Sequence, residues 1–418
     1  MAVASPASIA VIGAGVAGCA LVAGLRRGGF EGALSLWESG RGPGGRTATR
    51  RSRRDPQLRI NHGAPLFNIG PADPPPLLAA LLAEGAIEAW QPPQAVLSGS
   101  GELNSPDPGD RFAQGPLYCG RGGMEQLCRG LLALAGGRVE EHYGRMVRDL
   151  ALAQNGRWRL LDRDGLILAE ADWLLLAGTL LAHPRSRVLL GWPSVPLQNA
   201  ARSLGDPDLD HALAAIASIR SEARSTLLLV AEGAAAEAWQ RVPFRLLRFD
   251  AAAEQRWRLS RLSIQPQEDG RVAVVAHSSA VFAEEHRSVY GARSSIAAQL
   301  EQRPPQEQEA AVIEALSEAL AAALAPWIER RAVFGSQREL MRWGAAFPLP
   351  PGLPPALSLC CRSRVGFCGD FLEGEGFGRV EGALRSGSRL ADSLLGALER
   401  EQQGSAPPDP PAGTPPGA

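Results

Sequence analysis

The amino-acid sequence predicts an α/β protein: a Rossmann-like dinucleotide-binding domain interrupted by an α+β region built on a mostly antiparallel sheet. Three observations carry this. Gly13-Ala14-Gly15-Val16-Ala17-Gly18 falls between a short apolar strand and a helix. Further glycine-rich segments stand at opposite ends of the chain, at residues 42–46 and 366–387. Between them, residues 191–334 change to short strands joined by polar turns, the spacing of an antiparallel sheet.

In chain order, residues 8–12 read as a strand, 16–28 as a helix and 33–38 as a second strand ending in Glu38, the opening of a βαβ unit. Residues 71–116 are rich in Pro and Gly around one apolar helix, 77–90, which reads as an excursion from the nucleotide fold. A helix at 122–135 and strands at 145–150, 158–161 and 173–176 follow. The middle region supplies strands at 226–231, 244–249, 257–264 and 271–276, closed by a helix at 307–327 with Ala and Leu at helical intervals. A strand at 357–368 and a long helix at 380–398 return to the first pattern. The Pro-, Gly- and Ala-rich tail is expected to be disordered.

Composition narrows the function. The chain has 418 residues, 45% hydrophobic and 21% charged, enough to bury more than one core. A formal net charge of -1 provides no overall field for nucleic acid or an anionic membrane. Every basic residue other than the six histidines is Arg, so Schiff-base chemistry and a Lys general base are excluded. The six cysteines show no C-x-x-C spacing, no metal site is expected, and a reduced compartment fits. The N-terminus lacks the basic start of a secretory signal, and no apolar run approaches the ~20 residues of a membrane span. The expectation is a cytoplasmic monomer or dimer acting on a small molecule.

Each glycine of the first motif has a reason. Gly13 permits the tight turn, Gly15 lets the backbone approach a pyrophosphate, and Gly18 allows close helix packing, while the amides around Val16 and Ala17 face the phosphates. Glu38, twenty residues past Gly18 and followed by Ser39, is placed to hold ribose hydroxyls. Gly42-Pro43-Gly44-Gly45-Arg46 is a second glycine turn ending in an Arg suited to bidentate phosphate pairing. Near the C-terminus, Gly366-Phe367-Cys368-Gly369-Asp370 runs into a Gly-Asp turn, and residues 378–387 open a helix at Arg379 and Val380.

Glu38 through Arg46 resembles the G-x-G-G-R element of the flavin amine oxidase superfamily. With residues 42–49, Asn61-His62-Gly63-Ala64-Pro65-Leu66-Phe67, Gly122-Gly123-Met124, Arg342-Trp343 with Pro348, and the C-terminal elements, the chain resembles its renalase-like branch. In the middle only Ala276-His277-Ser278 and Val281-Phe282 match family positions. The resemblance implies FAD as cofactor, a three-layer FAD-binding domain over residues 1–70, 117–190 and 335–400, and a substrate domain over 71–116 and 191–334, leaving 401–418 as the tail. It implies that Arg46 lies beside the diphosphate with Gly44 and Gly45 close to the flavin, that Val147 on its strand contacts the adenine, and that Ala177-Gly178-Thr179 borders the diphosphate. Gly63 and Ala64 would border the cofactor, Asp370 after Gly369 would hold the ribityl chain, and the helix N-terminus would face N1 and O2 of the ring, where reduced flavin carries negative charge.

His62 and Trp343 are the candidate catalytic residues, the first placed beside the ring by the resemblance and the second lining or stacking in the pocket. Packing is the competing role for both. Phe67 and Met124 read as core, and Cys368 as a small buried hydrophobe rather than a covalent flavin link. Arg50, Arg51, Arg53 and Arg54 read as a solvated basic loop, with attraction of substrate phosphates as the alternative. The renalase-like resemblance implies oxidation of an NAD(P)H-type donor or isomer, with hydride passing to flavin N5 and electrons to dioxygen. Amine oxidation, polyene desaturation and flavin binding without turnover remain open.

Overall fold

The computed structural model describes residues 7–51, 55–71, 73–112, 115–292 and 304–403. At its centre lies the strand Ile9–Ile12, with Ile9 opposite Leu34 of Leu34–Glu38 on one side and opposite Trp173 of Trp173–Leu176 on the other. Glu140–Tyr143 extends the sheet beyond Leu34–Glu38, and Val365–Phe367 extends it beyond Trp173–Leu176; all of these pairs are parallel. Leu359–Cys360 adds an antiparallel edge. The strand order therefore reverses at Ile9–Ile12, which opens a crevice at the carboxyl ends of the strands.

Alternation along these strands builds three layers. Ile9, Val11, Trp173 and Leu175 share a core with the helices Val16–Arg27, Glu125–Leu134 and Val380–Gln402. Ala10, Leu174 and Leu176 point the other way, into a core with Trp158 and Leu160 of the antiparallel meander Asp149–Leu152, Trp158–Leu161 and Ile167–Ala171. Burial on both faces is why Trp173-Leu174-Leu175-Leu176 reads as an unbroken apolar run.

The second sheet has seven strands, in the order Gln337–Pro348, Ser221–Ala231, Val272–Ser278, Leu259–Pro266, Leu246–Phe249, Gln94–Leu97 and Leu103–Asn104. Only the pair Leu246–Phe249 and Gln94–Leu97 is parallel. One face, through Leu227, Leu262 and Ala276, is covered by Gly233–Arg241, Ala251–Trp257, Gln306–Leu324 and Arg330–Phe334. Part of the other face, through Leu228, Val230, Ala273 and Val275, packs on Ile60 of the strand Arg59–Asn61. The remainder borders the crevice.

Several expectations need correction. The helix at 77–90 is only Leu78–Ala83, because Gly85 at φ +66° turns the chain into the strand Ile87–Ala89. Residues 357–368 form a hairpin, Leu359–Cys360 with Val365–Phe367, turned at Arg364 with φ +55°. Val147 is in no strand: residues 144 and 145 donate their amides to the carbonyls of Gly40 (2.7 Å) and Glu38 (3.0 Å), and the strand starts at Asp149. Gln337–Pro348, expected in the nucleotide domain, is an edge strand of the large sheet. Conversely, Leu197, Leu209 and Ile216, expected in the substrate domain, pack into the nucleotide-domain core beside Trp158. The last helix runs to Gln402, into the expected tail; residues 404–418, like Arg53 and Arg54, lie outside the described residues.

The C-terminal helix is fixed by a buried ionic network. Glu381 is fully buried and accepts from the Gly70 amide (3.1 Å), Arg379 Nη2 (2.6 Å) and Arg385 Nε and Nη2 (3.1 and 2.8 Å). Removing one member of such a network leaves the others desolvated and unpaired, at about 3–5 kcal/mol. Glu381→Ala is expected to lower unfolding free energy by that amount in urea titration. A loss below about 1 kcal/mol would show that the network does not hold the helix start.

Candidate dinucleotide and substrate site

The crevice is a cavity of about 530 Å³ reaching from the first glycine turn to the large sheet. Gly13 follows the first strand at φ +108°, and its amide donates to the Trp37 carbonyl at 2.8 Å, tying the turn to the neighbouring strand. A Cβ on Gly18 would lie 2.0 Å from the Gly13 carbonyl oxygen, so this position admits only Gly. A Cβ on Gly15, which caps the helix Val16–Arg27, would meet nothing within 4 Å, and the same is true of Gly178. Both therefore present bare backbone to open space in the cavity wall.

The second turn is bonded onto the first: the Gly44 amide donates to the Ala14 carbonyl at 2.8 Å, and Gly45 and Arg46 line the cavity beside it. Glu38 faces the same space. Its Oε2 accepts from the Ala14 amide (3.0 Å), and its Oε1 accepts from the Gly40 amide (2.6 Å) and Ser39 Oγ (3.2 Å). From the other end of the chain, Gly369 is anchored through its amide to Ser386 Oγ at 2.9 Å, which sets Asp370 in the wall. The helix Val380–Gln402 starts at the cavity after Arg379, with no side-chain cap on its first amides.

Gly13, Gly15, Val16, Ala17, Glu38, Gly44, Gly45 and Arg46 line the cavity, and so do Gly63, Ala64, Gly178, Trp343, Gly369, Asp370, Arg379 and Val380. Gly18 packs behind it. Ser39 braces Glu38 from outside the wall. Val147 is buried in the core beneath the meander and is not in the wall. Arg46 and Asp370, expected to reach separate parts of a cofactor, hold each other in a bidentate pair at 2.7 and 2.5 Å, with Arg46 also donating to the Ala346 carbonyl at 2.8 Å.

Arg185 is the cation that sequence reasoning missed. It donates to Thr179 Oγ1 at 2.9 Å, its Nε is buried without a hydrogen-bond partner, and it lines the cavity near Arg46 and Asp370. Burial, and then the charge of Arg46, lowers its pKa to about 10. A buried guanidinium edge without a partner fits an anionic ligand such as a diphosphate. The available signal was its place just beyond the central strand Trp173–Leu176, at the carboxyl edge where such sheets bind ligands.

His62 lies behind the wall rather than in it. Its ring stacks on Trp343 at 5.3 Å between centroids, and the Trp343 indole N–H donates to the His62 carbonyl at 3.3 Å. The carbonyl of Ile60 at 3.3 Å requires the proton on Nδ1, and burial lowers the pKa to about 4, so the imidazole is neutral at pH 7. His277 does line the cavity. Its Nε2 donates to the Gly63 carbonyl (3.3 Å), its Nδ1 accepts from the Thr226 hydroxyl (2.9 Å), and burial lowers its pKa to about 3. It thus ties the Gly63 loop to the large sheet and carries no charge. Cys368 is fully buried and burial pushes its thiol up, which suits packing. Arg50 and Arg51 are paired with Glu339 and Glu125.

Among the described residues no group of His, Cys, Asp or Glu could hold a metal ion, and no helix is long and apolar enough to cross a membrane.

A family model described as an NAD(P)-binding Rossmann-like domain matches residues 11–84. No curated protein matches the sequence. Solved structures similar to the chain over nearly its whole length include cyclohexylamine oxidase from Brevibacterium oxydans (14% identity, TM-score 0.60, covering 94% of this chain and 100% of that one). Wild-type putrescine oxidase bound to putrescine is similar at 14% identity and TM-score 0.58, covering 93% and 99%. An oxidoreductase from Methanosarcina mazei is similar at 14% identity and TM-score 0.55, covering 93% and 100%. These likenesses establish the fold, a mixed α/β architecture with several sheets around a Rossmann-like domain.

A hydrogen bond to a charged group contributes about 1.5–3 kcal/mol, roughly 10- to 100-fold in affinity. Arg185→Met is expected to raise the dissociation constant of FAD from the protein by that factor, measured by equilibrium dialysis. An unchanged constant would remove Arg185 from the phosphate site.

Proposed function

We propose that the protein is an FAD-dependent oxidoreductase of the renalase-like kind, oxidising a reduced nicotinamide-type donor, NAD(P)H or an isomer, with dioxygen as the electron acceptor. The observation that carries this reading is the convergence on one cavity of both glycine turns, the Gly369-Asp370 turn and the open start of the C-terminal helix.

Each part has a role in the proposal. Glu38, already oriented by three donors, accepts from the ribose hydroxyls of the adenosine half. The amides at Gly15 to Ala17, with Arg46 and Arg185, hold the diphosphate, and Asp370 receives the ribityl hydroxyls. The amides at Val380 face the pyrimidine edge of the ring, where the helix dipole favours negative charge. FAD, when bound there, supplies the hydride acceptor and the path to dioxygen. The chain itself binds, orients and excludes water: Trp343 and His277 close the wall between Gly63 and the large sheet, and both histidines are neutral, so neither needs to exchange a proton for hydride transfer.

The absence of Lys from the sequence and the position of the acids favour this donor over an amine. Among the described residues, Glu38 and Asp370 are the acids lining the cavity, and both belong to its nucleotide half, leaving no described carboxylate to receive an ammonium group at the sheet. Anaerobic stopped-flow mixing tests the reading. NAD(P)H or a dihydronicotinamide isomer is expected to bleach the flavin within the turnover time, with hydrogen peroxide formed when air is admitted. Bleaching by amines alone would replace the donor, and no bleaching by any donor would leave a flavin-binding protein without turnover.

A further inference from the structure

The open part of the large sheet carries a row of polar residues where an apolar face would be expected. Arg248 is directly opposite Arg261, Arg261 is opposite His277, and His277 is opposite Thr226, across four adjacent antiparallel strands. Opposite residues share a face, so these side chains point together, and the flanking apolar residues Leu247, Leu262, Ala276 and Leu227 point to the helices instead. Like charges directly opposite each other destabilise a sheet. Arg224, on the Thr226 strand, completes the group, and Arg224, Arg248 and Arg261 all line the cavity.

Their partners leave much of this charge unanswered. Arg224 pairs with Glu222 at 2.6 Å, yet its Nε is buried with no partner. Arg248 pairs with Asp110, yet its Nη2 is buried with no partner. Arg261 makes no ion pair among the described residues; its guanidinium lies over the rings of Phe347 (4.7 Å) and Phe112 (5.3 Å), which leave its N–H edge uncommitted. Glu222 and Asp110 are not among the cavity-lining residues, nor is Glu254, whose carboxyl burial pushes up. Burial, then the charges of Arg224 and Arg248, lowers Arg261 to about 10.

We infer that this sheet face is an anion site: Arg224, Arg248 and Arg261 receive a phosphate or carboxylate arm of the donor while its reduced end lies toward the nucleotide half of the cavity. Unpartnered buried N–H groups gain most from a charged acceptor, and three guanidiniums without a lining acid repel a cationic substrate such as a diamine. The inference rests on the oxidoreductase reading for the direction in which the donor lies, but the anion site itself does not need the donor to be a nicotinamide.

Arg261→Leu tests it without orphaning a carboxylate, since Arg261 pairs with none and its neighbours are aromatic. Calorimetric titration of the flavin-loaded protein with inorganic pyrophosphate, and separately with succinate, is expected to show one site whose affinity falls with salt. Arg261→Leu should weaken the tighter anion by at least about 10-fold, with Arg261→Lys retaining most of the binding. The tighter of the two anions identifies a phosphate- or carboxylate-bearing donor. Equal affinities in wild type and Arg261→Leu for both anions overturn the site. If nicotinamides fail to bleach the flavin but pyrophosphate binding depends on Arg261, the donor assignment falls and the anion site stands. If they bleach it and Arg261→Leu leaves KM unchanged, the anion site falls and the donor stands.

Discussion

The first helix and the last approach each other where side chains are missing. A Cβ on Gly387 would lie 2.3 Å from the Ala17 carbonyl oxygen, one on Gly24 would lie 2.7 Å from Ala391 Cβ, and Gly18 is equally crowded by Gly13. Backbones in such contact fix the relative position of two helix starts separated by most of the chain. The glycine turn at Gly13 to Gly18 and the start of Val380–Gln402 therefore meet at one cavity. Glu381, buried and held by Gly70, Arg379 and Arg385, secures the same helix from its other side.

Around this joint the cavity divides electrostatically. At the nucleotide end, charges of both signs are present: Glu38, the Arg46–Asp370 pair and Arg185. At the sheet end the charged lining residues, among those described, are the arginines Arg224, Arg248 and Arg261. Between them stand Trp343 and His277, held by His62 and Gly63 through backbone carbonyls; the indole carries no charge and burial keeps the imidazole neutral. A neutral partition suits the proposed reaction, in which hydride crosses with no proton relay.

Much of the nucleotide half was legible in the sequence because its constraints are local. Gly13, Gly15, Gly18 and Glu38 each follow from a strand, a tight turn and a helix within one βαβ unit: Gly13 has the positive φ of a tight turn, Gly18 packs on its carbonyl, and Gly15 and Glu38 face the cavity. The Gly42 to Arg46 turn and the Gly369-Asp370 turn were equally visible, but their mutual ion pair was not, since nothing local links residues 324 positions apart. Val147 was misjudged because the backbone just before it, at residues 144 and 145, is bonded to Gly40 and Glu38, and the strand starts only at Asp149. His62 was expected to face the ring, whereas its ring is spent on Trp343. The arginine row was out of reach for a stronger reason: Arg248, Arg261 and Arg224 are brought onto one face only by the register of four paired strands, which no local pattern sets. A single Arg inside each apolar strand was the only trace it left.

The account depends on a dinucleotide held between both ends of the chain, and the most direct measurement is the visible spectrum of the purified protein, followed by identification of what denaturation releases. Absorption bands near flavin wavelengths and stoichiometric release of intact FAD are the expected result. A preparation that is colourless, and that binds no FAD after reconstitution, would contradict it.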